Sequence, residues 1–181
     1  MKRREAIKRV SLALGSAVVM PSLLNILSSC INDKPEKKYL FLNDEQVSLI
    51  NKLVNVVLPI DDYPERNQMN LTRFIDEMFY YTEPDKKKEI FNLGSNRFVK
   101  SIKAYMNKNM KSNNLESLQM ILKNYFNVSK EEEKQIFELL ERDFITIDNQ
   151  LKDKYLINFF LTKVRYYCLL GFCTSEVYLK E

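Results

Sequence analysis

The side chain with the most definite chemistry is the thiol of Cys30, which closes the run Leu27-Ser28-Ser29-Cys30. Small residues before a cysteine let a peptidase reach the backbone, and the thiol can then take a lipid. This run resembles a bacterial lipobox, so Cys30 is expected to be the first residue of the mature chain and to carry lipid. Upstream, Lys2, Arg3, Arg4, Lys8 and Arg9 stand against one acid, Glu5, and no charged residue follows from Val10 to Asn32. A basic start and an apolar run are the layout of a secretory signal. Ser11, Gly15, Ser16, Pro21, Ser22 and Asn25 interrupt the run, which suits a transient signal better than a membrane span of roughly 20 apolar residues. The pair Arg3-Arg4, followed by Glu5-Ala6-Ile7-Lys8, resembles a twin-arginine export address.

The chemistry the chain lacks is equally informative. It has no histidine, which rules out Ser-His and Cys-His nucleophiles and His-ligated zinc. After the signal only Gly94 and Gly171 remain, too few for a glycine-rich phosphate cradle. No catalytic, cofactor-binding or metal-binding residue is therefore assigned, although the carboxylates Asp61, Asp62 and Asp76 leave acid–base catalysis open. Cys168 and Cys173 are five positions apart; on one continuous helix they point away from each other, too far for a disulfide, whereas a break at Gly171 would bring them closer in an oxidising compartment, and separate buried thiols are the expectation.

Five of the 28 basic and one of the 24 acidic residues lie in residues 1–29. The remaining 152 residues carry 23 of each and are neutral, so the basic character belongs to the signal and gives no support to nucleic-acid binding. Three segments follow: a signal over 1–29, a lipidated tether over 30–39 containing the polar run INDKPEKKY, and a helical domain over 40–181.

Within that domain the apolar spacing is helical throughout. Asn43 and Gln46 form a capping-box signature ahead of Leu49, Ile50, Leu53, Val54, Val57 and Leu58, and Pro59 stops the helix. Residues 59–68 read as a loop. Leu71, Phe74, Ile75, Met78 and Phe79 mark a second helix. Pro84 opens a third carrying Ile90, Phe91, Phe98, Ile102, Tyr105 and Met106, with a kink expected at Gly94-Ser95. Residues 108–114 connect to a fourth helix with Leu115, Leu118, Ile121, Leu122, Tyr125 and Phe126. Ser129 caps a fifth, expected to run through Ile136, Phe137, Leu140, Phe144 and Ile147. The last, from Leu151 to Leu170, is apolar over much of its circumference and is expected at the centre, ended by Gly171 in a left-handed conformation. The fold class is all-α: a single bundle-like domain of about six helices.

The stretch FFLTKVRYYCLLGFCTSEV (159–177) is not explained by periodicity. Its Gly171-Phe172-Cys173-Thr174-Ser175-Glu176 element, the MKRREAIKR start, FLNDEQ, LPIDDYP, FIDEM (74–78) and VSKEEE together resemble the small (third) subunit of gluconate 2-dehydrogenase. The resemblance implies a non-catalytic subunit that binds a large flavoprotein of the glucose-methanol-choline type and supports its maturation or export. It implies FAD in that partner, haem c in a cytochrome subunit, and a location on the periplasmic side of a membrane. It also assigns Arg165, Gly171, Phe172, Thr174, Ser175 and Glu176 to the partner interface. From the residues alone, Arg165 fits either a partner contact or an internal ion pair to Asp76 or Glu176, and Thr174-Ser175-Glu176 could cap a short last helix. The chain departs from the family pattern at Cys173 and Tyr178 and stops at Glu181, where relatives continue into a longer tail that could add to the interface. A free-standing helical lipoprotein with another partner is the alternative.

Overall fold

The computed structural model describes residues 39–59, 62, 64–109 and 115–175. Arg3, Arg4, Cys30 and Glu176 lie outside the described residues, as do Ile60, Asp61 and Tyr63. Six α-helices follow in order: α1 Asp44–Val57, α2 Leu71–Thr82, α3 Asp85–Asn109, α4 Leu115–Phe126, α5 Lys130–Glu141 and α6 Asn149–Cys173. Short 3-10 helices occupy Pro64–Gln68 and Phe144–Thr146, and no strand occurs among the described residues. The domain is all-α, as its periodicity requires.

The helix starts follow from side-chain chemistry. Asn43 accepts from the Gln46 N–H at 2.9 Å while Gln46 Oε1 accepts from the Asn43 N–H at 3.1 Å, a complete capping box. Asn70 accepts from the Arg73 N–H at 2.9 Å and Ser129 from the Glu132 N–H at 3.1 Å. Each satisfies one of the donors that a helix N-terminus leaves unpaired.

Helix α6 is the axis of the domain. It packs against α1, α2, α3 and α5, and seven consecutive residues, Tyr155–Leu161, are buried. Its length and composition would suit a membrane span, but 61% of its most apolar window is buried within the domain. Aromatic rings fill the space around it: Phe91 and Phe160 lie 4.9 Å apart between centroids, and Phe98 and Phe160 5.8 Å.

Three expectations are corrected, and Gly94 is given its role. The fifth helix ends at Glu141 and does not run on to Ile147. Arg142 is extended, and Asp143 accepts from the Ile145 N–H at 3.1 Å, starting the separate 3-10 helix that carries Phe144. Phe137, expected on the core stripe, is 52% exposed. Helix α3 runs unbroken through Gly94 and Ser95; Gly94 serves close approach, because a Cβ there would lie 2.3 Å from the Leu156 carbonyl oxygen. Gly171 does not end the last helix, which continues to Cys173. It sits inside α6, where a Cβ would lie 2.7 Å from Cδ1 of Phe74, so its lack of a side chain admits the α2 ring.

Candidate interaction surface

The C-terminal end of α6 is finished by two hydroxyls. Thr174 donates from its N–H to the Leu170 carbonyl at 3.0 Å and from its hydroxyl to the same oxygen at 2.7 Å. Ser175 makes the equivalent pair to the Phe172 carbonyl at 3.2 and 2.8 Å. These bonds satisfy carbonyls that the helix end leaves without intrahelical donors. Thr174 and Ser175 thus close the long helix. Gly171 and Phe172 are buried and contribute packing beneath this end. Arg165 is exposed, with its guanidinium carbon 5.1 Å from the centre of the Phe126 ring. Its proposed pairing with Asp76 does not occur, because that carboxylate is already committed. Cys168 and Cys173 are not bridged, and burial pushes the Cys173 thiol up from its ordinary value.

Asp76, 1% exposed on α2, collects three consecutive backbone N–H groups at the domain entrance. Its Oδ2 accepts from Leu40 at 2.8 Å, and its Oδ1 from Phe41 at 2.9 Å and Leu42 at 2.8 Å. The Phe41 ring then stacks on Phe79 at 5.3 Å. FLNDEQ and FIDEM, separate in sequence, are therefore two halves of one clamp that fixes where the domain begins. A buried carboxylate needs such donors, and a structural role is what this geometry gives Asp76.

A second buried carboxylate escaped sequence reasoning. Glu83, just before Pro84 in the α2–α3 corner, accepts from the Tyr167 hydroxyl at 2.6 Å and from the Lys163 ammonium. Lys87 lies 3.7 Å away. Burial raises the Glu83 pKa, but the bonds from Lys163 and Tyr167 and the charges of Lys163 and Lys87 outweigh it, so it falls below the usual carboxylate value. Burial and Glu83 together hold the Tyr167 hydroxyl protonated far above its ordinary range. The available signal was a carboxylate at a proline-marked corner and a Lys163/Tyr167 pair one helical turn apart.

The pH consequence has a definite sign. A carboxylate whose pKa is lowered on folding contributes stability that is fully present above its unfolded value, 4.5 here, and is lost as pH falls through the folded value. Glu83→Gln should thus lower the urea midpoint at pH 7 and flatten its decline below about pH 4.5. Equal acid limbs for wild type and variant would show that Glu83 does not supply this dependence.

Beside this network lies a groove of about 560 Å³ between the start of α3, the end of α5 and α6. Ile90, Phe144, Tyr155 and Phe159 give it an apolar floor, and Lys86 and Asp143, paired at 2.8 Å, stand on its rim. Among the described residues no cluster of three or more Cys, Asp or Glu side chains could hold a metal ion. Both glycines of the domain are consumed by helix packing, so neither forms part of a nucleotide cradle.

The fold and these sites define a small all-α domain built round one central helix, with the buried carboxylates Asp76 and Glu83 committed to holding backbone and helices in place. Residues 44–181 match the family model for gluconate 2-dehydrogenase subunit 3, and the chain belongs to that family. It is thus related to subunits of a dehydrogenase complex. No curated protein and no solved structure matches the chain.

Proposed function

We propose that this chain is the non-catalytic small subunit of an exported, FAD-dependent sugar or sugar-acid dehydrogenase complex, held at the periplasmic side of a membrane by lipid on Cys30. The observation that carries this reading is the family match across 44–181, which takes in all six helices described. Arg3-Arg4 and the Leu27–Cys30 run support the export route and the anchor. In this reading the flavin belongs to a large subunit of the glucose-methanol-choline type and haem c to a cytochrome subunit. Because a twin-arginine route carries folded cargo, the large subunit could leave the cytoplasm on this chain's signal. The contact surface for the large subunit includes Arg165, Thr174 and Ser175 at the end of α6, with Gly171 and Phe172 supporting it from below, and Glu176, which follows in sequence.

The test is affinity capture of the protein from detergent-solubilised native membranes. A stoichiometric large subunit with a flavin spectrum is expected. Cys30→Ser should leave the protein out of the membrane fraction, and Arg165→Glu with Glu176→Lys should release the flavoprotein while helical circular dichroism is retained. Capture of a partner without flavin would replace this reading with that of a free-standing lipoprotein. Normal membrane binding by Cys30→Ser would remove the anchor.

A further inference from the structure

We infer that the face of the domain around Leu40, Tyr80 and Tyr81 rests on the phospholipid surface, an inference that takes the Cys30 anchor from the function proposed above. The Asp76 clamp begins at Leu40, so the tether is bounded at Cys30 and Tyr39 and cannot lengthen by peeling residues from the domain. Its nine residue steps reach at most about 32 Å. The entrance is therefore held within about 32 Å of the lipid.

Apolar and aromatic side chains stand exposed at that entrance. Leu40 is 44% exposed although its N–H is bound to Asp76. Tyr80 lies one helical turn beyond Asp76 on the same stripe of α2 and is 46% exposed; Tyr81 is 59% exposed. Their rings meet edge to face at 4.9 Å, and the Lys88 ammonium stands 5.7 Å from the centre of the Tyr80 ring. An amphipathic ring with an outward hydroxyl matches the headgroup layer, where one end is apolar and the other wet, and a lysine can extend its charge towards phosphates. Lys88 also pairs with exposed Asp85 at 3.3 Å, so the contact rests on the aromatic and apolar side chains more than on net charge.

The absence of tryptophan from the chain provides the experiment. Tyr80→Trp, Tyr81→Trp and Ala104→Trp are each made in the full chain, and the mature proteins are purified from membranes. They are then reconstituted into phosphatidylethanolamine/phosphatidylglycerol vesicles containing brominated lipid. Ala104 is exposed sixteen residues beyond Lys88 on α3, about 24 Å along the helix axis. With the protein floating on the vesicles, the Tyr80→Trp and Tyr81→Trp variants should each lose about half of their emission to bromine, while Ala104→Trp keeps nearly all of it. Equal emission from all three in floating protein overturns the surface assignment and leaves the anchor standing. Failure of all three to float overturns the anchor itself, and the surface assignment with it.

Discussion

Asp76→Ala is expected to destabilise the domain by about 3–5 kcal/mol, because three N–H groups lose a charged acceptor at once. The Leu42 N–H is the costliest of the three: Leu42 is 5% exposed, so water cannot replace the carboxylate there, whereas Leu40 and Phe41 are partly open. Asp76→Asn separates the contributions. Its remaining carbonyl can keep the two bonds now made by Oδ1 to Phe41 and Leu42, but an NH₂ then faces the Leu40 N–H, donor to donor. An intermediate loss of about 1–3 kcal/mol is expected. Urea denaturation followed by circular dichroism measures both. Identical midpoints for wild type and Asp76→Ala would show that the clamp contributes nothing. Proteolysis near Tyr39 should also accelerate in the alanine variant, since residues 40–42 lose their hold on α2.

Gly94→Ala should also be damaging, although alanine is the better helix former by about 1 kcal/mol. The atoms that a Cβ would meet are the Leu156 carbonyl oxygen at 2.3 Å and the Phe160 Cβ at 2.9 Å. Neither is the movable end of a side chain, so α3 and α6 must separate. That opens space around the closely packed rings of Phe91, Phe98 and Phe160, and overpacking of this kind costs about 1–3 kcal/mol or more. A net loss of about 2 kcal/mol is expected after the gain in propensity, and Gly94→Val should be worse. Gly171→Ala should be milder because it meets the edge of the Phe74 ring at 2.7 Å, which can tilt slightly. If Gly94→Ala raises the melting temperature, propensity outweighs packing and α3 and α6 are less tightly apposed than the geometry requires.

Both variants bear on the proposed function. The clamp converts a tether into a fixed entry point, and the α3–α6 contact packs the helix whose end Thr174 and Ser175 cap. Loss of partner binding in either variant would be read against its circular dichroism, since an unfolded domain loses every surface together.

What the sequence determines by itself is local. Helical spacing, the Asn43 and Ser129 caps and the Pro84 start are short-range effects, so six helices and an all-α class follow directly from residue order. The compositional exclusions follow too, because no fold can supply a histidine. The even apolar distribution on the last helix announces its central position, since a helix surrounded by neighbours has no polar face to keep. Tertiary structure decides what depends on partners distant in the chain. Asp76 is one carboxylate on an amphipathic helix until three N–H groups from residues 40–42 arrive, and Glu83 is an ordinary acid before a proline until Lys163 and Tyr167 reach it across 80 and 84 positions. The two glycines show the same division. A glycine near a helix end permits a left-handed turn, and one in mid-helix permits a kink; only the proximity of Phe74 and Leu156 assigns both to close packing, where the missing Cβ matters for the space it leaves.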